Sequence, residues 1–187
     1  MDYYFEIRVL PDPEFSQQSL MEALFAKLHR ALGQVGNGRI GVSFPCARKT
    51  LGDTLRIHGS SEALNDLQSL SWLKGLRDYA EVIDIKLVPK DARYRRVSRV
   101  QVKSNVDRIR RRSIKKGWLT EEQALQRIPI SKEQRTHLPF LYLKSLSSGQ
   151  SFLLFIKQGP IQDKPTPGVF SSYGLSSSAT IATIPWF

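Results

Sequence analysis

The sequence lacks the marks of several large protein classes. It contains one cysteine, Cys46, so no disulfide can form within the chain, which is typical of proteins from a reducing compartment. No apolar run approaches the ~20 residues of a membrane helix, and the first residues carry neither the basic segment nor the long apolar stretch of a signal peptide. We therefore expect a cytoplasmic protein.

Motifs for several kinds of catalysis are also absent. One cysteine and three scattered histidines offer no zinc-ligand spacing, so we expect neither a metal nor another cofactor. The sequence has no Gly-x-Ser-x-Gly nucleophile elbow, no phosphate-binding Gly-Lys-Ser/Thr loop and no dense group of carboxylates for a two-metal nuclease.

Acidic residues are nearly missing from one basic stretch, residues 93–116. It holds 11 lysines and arginines and a single acid, Asp107, which gives a net charge of +10 against +11 for the whole chain. Charge that serves solubility is spread over a surface. Charge this concentrated predicts a polyanionic partner, and nucleic acid is the usual one.

The first 90 residues alternate between strand and helix patterns. Strands are predicted at residues 3–10, 40–44, 54–58 and 82–88, with helices at 19–32 and from Ser61 onward. The order βαββαβ indicates an α+β protein whose N-terminal domain, residues 1–90, has the ferredoxin-like plan. The third strand lacks the aromatic residues with which RNA-recognition domains stack on bases, so we interpret this sheet as a scaffold.

The remaining residues, 91–187, are predicted to form a C-terminal α/β part that carries the basic stretch. A helix is expected at about 105–116, followed by a short helix that a capping box at Thr120 opens and that ends before Pro129. Strands are predicted at 139–143 and 152–156, with a serine-rich turn between them. Residues 159–187, rich in glycine, proline and serine, indicate loop with one or two short strands.

Winding residues 105–116 as a helix places cations on one side. Arg108, Arg111, Arg112 and Lys115 form a stripe with Lys116 at its margin, while the opposite side carries Val106, Ile109 and Ser113. Such a stripe suits a groove walled by phosphates, although a solvated charged face is the alternative. Just upstream, Arg99, Gln101 and Lys103 share one side of an extended segment, and arginine and glutamine are the types that read guanine and adenine.

Candidates for chemistry are few. His29 lies beside the apolar face of the first predicted helix, and both a boundary histidine and a catalytic one fit that position. The serines at 145, 147, 148 and 151 fit ordinary loop chemistry. A basic surface without metal ligands can still cleave RNA, because the 2′-hydroxyl is a built-in nucleophile that needs alignment and a base.

Short motifs along the whole chain resemble one family. The sequence is similar to the CRISPR repeat-processing endoribonucleases of type I-F systems in segments that include residues 11–15 (PDPEF), 39–45 (RIGVSFP), 98–101 (SRVQ), 110–112 (RRR), 148–150 (SGQ), 173–176 (YGLS) and 185–187 (PWF). The resemblance implies a metal-independent enzyme that binds the hairpin of a CRISPR repeat, cuts at the 3′ base of the stem and stays on the guide RNA. Other subunits of a type I-F guide-RNA complex are the further partners it implies.

The resemblance also implies roles for particular residues. His29 is expected to be the general base on the 2′-hydroxyl, Ser145 to position that hydroxyl (with Ser147 or Ser148 as alternatives), and Tyr173 to orient the site. Arg99 and Gln101 are expected to read bases of the lower stem, and Phe152 to stack on a base near the cut. The other expected RNA contacts are Lys103, Ser104, Arg108, Arg111, Arg112, Lys115 and Lys116.

Two other functions fit the basic stretch. One is an RNA-hairpin-binding subunit that holds a guide RNA without cutting it. The other is a basic DNA-binding or ribosome-associated protein. A cleavage assay separates the first from an enzyme, and comparable affinity for duplex DNA would indicate the second.

Overall fold

The structure is a computed structural model that describes residues 1–102, 106–129, 136–145 and 148–187. The described chain forms two compact units. Unit 1 comprises Met1–Val100 with Leu138–Phe187, and unit 2 comprises Gln101–His137. None of the helices that are described combines the length and the apolar character needed to cross a bilayer.

A five-stranded antiparallel sheet occupies the N-terminal part of unit 1. Its strands are β1 (Tyr3–Val9), β2 (Gly41–Ser43), β3 (Thr54–Gly59), β4 (Ala80–Val82) and β5 (Lys86–Leu87). They lie in the order β2-β3-β1-β4, and β5 also pairs with β1. The helices α1 (Gln17–Val35) and α2 (Ser61–Ser69) connect these strands, and a 3₁₀ turn at Arg77–Tyr79 precedes β4.

A four-stranded antiparallel sheet completes unit 1. Its strands are β6 (Arg93–Val100), β7 (Phe140–Lys144), β8 (Ser151–Gln162) and β9 (Ile184–Trp186), in the order β7-β8-β6-β9. The apolar side chains of both sheets and of α1 form one core, in which Phe25, Ile57, Leu141 and Ile156 are buried almost completely.

The sequence of α1 explains its place on this core. Ser16 caps the helix, because its side chain accepts a hydrogen bond from the Ser19 amide. Leucines four residues apart, at Leu20, Leu24 and Leu28, are buried and hold one face of the helix against the core that both sheets share.

Unit 2 contains two helices, α3 (Val106–Lys115) and α4 (Glu121–Arg127). The capping box predicted at the start of α4 is confirmed, since Thr120 and Gln123 exchange hydrogen bonds between side chain and backbone.

The predicted α+β class is confirmed, two expectations about strands need correction, and one strand was not predicted. The single strand expected at 82–88 is two short strands, β4 and β5, which pair with opposite ends of β1. The basic residues 93–100 form β6, which pairs with β8 and β9. β8 also runs on through Pro160, which its position allows because, among the described residues, β7 pairs with residues 151–155 and not with Pro160.

The C-terminal residue is fixed to the first sheet. The Arg56 guanidinium bonds Glu6 at 2.6 Å and the Phe187 carbonyl at 2.9 Å, and it lies 4.0 Å from the centre of the Phe187 ring. These contacts hold Phe187, the residue after β9, against β1 and β3 of the first sheet.

Candidate active site

An open cavity of about 550 Å³ in unit 1 collects the main catalytic candidates. Its lining residues come from α1, from the β7–β8 hairpin and from the loop before β9: Ala26, His29, Arg30, Leu143, Lys144, Ser145, Gly149, Phe152 and Tyr173. The three catalytic candidates His29, Ser145 and Tyr173 therefore share one space with Phe152, which was expected to stack on a base, although up to 144 positions separate them along the chain.

Two hydrogen bonds set α1 beside β7. The amide nitrogen of the Gln18 side chain donates to the Phe140 carbonyl at 2.9 Å, and the Tyr142 amide donates to the Glu22 carboxylate at 2.9 Å. Both backbone groups lie on the edge of β7 that does not face β8, so side chains of the helix take the place of a further strand. His29 on the helix and Ser145 after the strand are thereby held at one cavity.

The imidazole of His29 has a defined tautomer. Its Nδ1 lies 2.9 Å from the Ser172 carbonyl oxygen. Because a carbonyl only accepts hydrogen bonds, Nδ1 carries the proton, and in the neutral ring Nε2 keeps its lone pair. Nε2 is thus the nitrogen that can accept a proton from a substrate.

Stacking fixes the plane of the same ring. The Tyr173 ring lies parallel to that of His29, with centroids 3.9 Å apart and an angle of 4° between the planes. The Tyr173 ring also lies nearly parallel to that of Phe25, a buried core residue, with the centroids 6.4 Å apart. The ring that orients the imidazole is therefore itself packed against the core.

The turn that carries Tyr173 requires a glycine after it. Gly174 has φ of +68°, and a Cβ there would lie 2.7 Å from the Val42 side chain. The Gly174 carbonyl accepts a hydrogen bond from the Val42 amide at 2.9 Å. The turn is thus docked on β2, which holds both Tyr173 and the Ser172 carbonyl in place.

Ser145 opens the turn between β7 and β8. Its amide donates to the Gln150 carbonyl at 2.8 Å, and its carbonyl accepts from the Gly149 amide at 2.9 Å. The Ser145 hydroxyl oxygen accepts a hydrogen bond from the Ser148 amide at 3.3 Å. The Ser148 amide therefore restrains the hydroxyl of Ser145, which lines the cavity, and the alternative candidate Ser147 lies outside the described residues.

Phe152 and Arg99 form a pair at the cavity. Phe152 is half-buried and lines the cavity from β8, and the exposed Arg99 guanidinium lies 5.5 Å from the centre of its ring. An aromatic face and an arginine fork side by side can stack on a base and bond its edge.

Two cations in the cavity were missed by the sequence interpretation. Arg30 and Lys144 line it, and none of the described residues that line it is acidic. The available signal was position, since Arg30 follows His29 and Lys144 precedes Ser145. Together they make the wall electropositive, which suits a phosphate group. Histidines, cysteines and carboxylates within the described ranges form no group of three or more that could hold a metal ion.

His58 is a core residue. It is fully buried in β3, and its Nε2 lies 2.9 Å from the Ser43 hydroxyl oxygen. Burial, with a further contribution from the charge of Arg56, lowers the pKa of His58 to about 3. This ring stays neutral and cannot exchange protons with a substrate from its place in the core.

Unit 2 carries the predicted cationic stripe on α3. Arg111, Arg112, Lys115 and Lys116 are exposed, whereas Val106 and Ser113 are buried and Ile109 is half-buried. The side chain of Arg108, like Lys103 and Ser104, lies outside the described residues, and Gln101 is exposed at the start of the unit.

Not every arginine of the basic stretch is free to meet a ligand. The Arg110 side chain is 15% exposed and bonds the Ile128 carbonyl at 3.0 Å and Asp107 at 3.3 Å, which connects α3 to the end of α4. In unit 1, Arg95 lies 4.5 Å from the Trp186 ring and bonds the Gly159 carbonyl. Part of the concentrated charge thus serves the fold.

Comparisons with known proteins were consistent over the full chain. A family model described as "CRISPR-associated protein (Cas_Csy4)" matches residues 4–187. A protein of Escherichia coli (strain UTI89 / UPEC) named "CRISPR-associated endonuclease Cas6/Csy4" is 59% identical over 187 residues, which is all of both chains. A protein of the same name from Pseudomonas aeruginosa (strain UCBPP-PA14) is 47% identical over 190 aligned residues and likewise covers both chains completely.

Proposed function

The chain belongs to the Cas_Csy4 family of CRISPR-associated proteins, and on that premise we propose that it is an endoribonuclease that matures CRISPR RNA. Its substrate is the hairpin of a CRISPR repeat, cut at the 3′ base of the stem without a metal ion. The observation that carries the proposal is the His29 imidazole, which is fixed by the Ser172 carbonyl and by Tyr173 and shares a cavity with Ser145.

The reaction uses the nucleophile that RNA supplies. His29 Nε2 takes the proton of the 2′-hydroxyl, the 2′-oxygen bonds to the adjacent phosphorus, and the bond from phosphorus to the 5′-oxygen breaks. The products are a 2′,3′-cyclic phosphate and a 5′-hydroxyl, whose proton comes from water. Ser145 holds the 2′-hydroxyl in line with the phosphorus, and Tyr173 keeps the imidazole plane oriented toward it.

The cations of the cavity have a part in the same step. Negative charge on the phosphate oxygens grows as the 2′-oxygen attacks, and fixed positive charge stabilises it more strongly in a partly enclosed site than in water. Arg30 and Lys144 are the described lining residues that can supply this charge. Phe152 and Arg99 hold a base on the stem side of the cut.

RNA binding is assigned to the C-terminal part of the sequence, residues 91–187, and the ferredoxin-like plan to residues 1–90. The exposed cations of α3 contact phosphates of the stem in the major groove, with Lys103, Ser104, Arg108 and Gln101 as further contacts. Contacts with the stem do not depend on the bond that is cut. The enzyme therefore remains on its product.

Cleavage of a repeat hairpin in EDTA tests the proposal. We expect two fragments from the wild-type protein and none from RNA with a 2′-deoxynucleotide before the cut, although both RNAs bind equally. His29→Ala should reduce the single-turnover rate by at least about 100-fold and change the Kd by less than about threefold, because general-base catalysis contributes roughly 10²–10⁴-fold.

His137→Ala is the matched control. His137 is exposed and lies in unit 2, so its removal should leave the rate unchanged. Binding of the hairpin without cleavage by the wild-type protein would refute the proposal in favour of a non-cleaving RNA-binding subunit.

A further inference from the structure

A second cavity begins where the catalytic one ends. It measures about 340 Å³ and is lined by Lys27, Arg30, Ala31, Gln34, Leu70 and Trp72. Arg30 lines both cavities, so the two spaces adjoin at the residue that follows His29. None of the roles assigned above uses the second cavity.

The lining of this cavity combines three kinds of chemistry. Lys27, Arg30 and Gln34 recur along one side of α1 at helical spacing and present two cations and an amide. Trp72 adds a half-buried indole from the segment after α2. None of the described residues that line the cavity is acidic. Cations beside an aromatic face are what proteins use to hold single-stranded nucleic acid.

Among the described residues, neither Lys27 nor Arg30 forms an ion pair with an acid. The Lys27 ammonium donates to the Lys74 carbonyl at 2.7 Å, and Arg30 Nε donates to the Ala26 carbonyl at 3.2 Å. Both partners are backbone oxygens, so each side chain keeps its full charge and further N–H donors. Fixed cationic groups of this kind lose little conformational freedom when they bind a phosphate.

The position of the cavity indicates which nucleotide it can hold. The stem side of the cut is assigned to Phe152 and Arg99, which come from β8 and β6 in the second sheet. The second cavity instead lies on a neighbouring side of α1, and Arg30 is shared between it and the cavity that holds His29. An RNA strand that passes Phe152 and presents its 2′-hydroxyl to His29 must continue past the scissile phosphate, and this cavity adjoins the first one at Arg30.

We propose that the second cavity binds the single-stranded nucleotides that follow the cut, with Lys27 and Arg30 on phosphate and Trp72 stacked on a base. The inference rests on the proposed function and identifies a subsite for the leaving strand of the precursor. The mature hairpin has lost these nucleotides, so the subsite favours uncut RNA over product. It thereby helps the enzyme select precursor while cleaved RNA remains held through its stem alone.

Two RNAs test this subsite. One is the hairpin that ends at the nucleotide before the cut, and the other extends the same hairpin by four nucleotides, with a 2′-deoxynucleotide before the cut to prevent cleavage. We expect the extended RNA to bind the wild-type protein about tenfold more tightly, because stacking and phosphate contacts both strengthen single-strand binding. Equal affinity for the two RNAs would overturn the inference.

Variants assign the difference to the cavity. Lys27→Gln and Trp72→Leu should each bring the ratio of the two Kd values to about two or less and leave the Kd of the short hairpin unchanged. Leucine keeps an apolar side chain where Trp72 packs against the core. Lys49→Gln, which removes an exposed cation from a loop elsewhere in unit 1, is the matched control and should keep the tenfold ratio. Loss of affinity for both RNAs to the same extent would also overturn the inference.

A change in the RNA tests directly whether Trp72 stacks on the first nucleotide after the cut. An abasic first nucleotide after the cut should weaken binding of the extended RNA as much as Trp72→Leu does, and the two changes combined should cost no more than either alone. Additive losses would show that the indole does not stack on that base. The cleavage assay separates this inference from the proposed function. An enzyme that cuts the ribose-containing hairpin but binds the short and the extended RNA with equal Kd would refute the subsite and leave the proposed function intact.

Discussion

Acid should destabilise this protein through His58. The imidazole is fully buried in β3, next to the Arg56 guanidinium, and burial holds its pKa near 3 against 6.5 for the free side chain. Below pH 6.5 the unfolded chain therefore binds a proton at this residue and the folded chain does not. The stabilisation is complete above pH 6.5 and is lost progressively as the pH falls toward 3.

The size of the effect follows from the interval between the two pKa values. Each pH unit in that window removes about 1.4 kcal/mol from the free energy of unfolding, so the loss reaches about 2 kcal/mol at pH 5. This is a large share of the roughly 5–15 kcal/mol that stabilises a typical domain.

Urea unfolding at pH 7.5, 6, 5 and 4, followed by the fluorescence of the three tryptophans, measures this loss. The comparison is with His58→Gln, whose amide can still bond the Ser43 hydroxyl but does not titrate. The variant should be less stable at pH 7.5, and its deficit should shrink by about 1.4 kcal/mol per pH unit between pH 6 and 4, since all other titrating groups are shared. Parallel stability curves for the two proteins would refute the reasoning.

Two further predictions concern the cavity and the basic helix. Tyr173→Leu removes the ring that stacks on His29. It should slow single-turnover cleavage about 10- to 100-fold with little change in hairpin Kd, because a small error in the alignment of the imidazole with the 2′-hydroxyl is costly. An unchanged cleavage rate would contradict the positioning role of Tyr173. Arg110→Ala should speed hydrogen exchange in α3 and α4, because it breaks the bond to the Ile128 carbonyl. Arg111→Ala should leave hydrogen exchange unchanged and should instead reduce the salt slope of log Kd by about one. The reverse pattern, with Arg111 needed for helix protection, would contradict the division between structural and exposed arginines.

Local patterns in the sequence were sufficient for several elements. The leucine spacing predicts α1, and Thr120 with Gln123 predicts the start of α4, because helix periodicity and capping depend on residues within one or two turns. Strand bounds were less predictable. Gly159 and Pro160 indicate a loop, yet β8 includes both of them, because pairing of β8 with β6 on one side keeps this segment extended.

The candidate site, too, was predictable from the sequence only in part. The family resemblance singled out His29, Ser145, Tyr173 and Phe152 one by one, and the structure brings them to one cavity. Arg30 and Lys144 went unnoticed because an exposed cation on a helix or strand has no distinctive local pattern. Their significance depends on the residues that face them across the cavity.

By itself the sequence determined which segments form helices, how strongly positive the chain is and that three histidines were available for chemistry. Only the tertiary structure decided that His58 is sealed in the core while His29 lines an open cavity, and that Arg110 supports the fold while Arg111 is exposed. The physical reason is that periodicity, capping and net charge arise from neighbours in sequence. Burial and hydrogen bonding arise from residues brought close in space, such as Ser172, which lies 143 positions from the imidazole it orients.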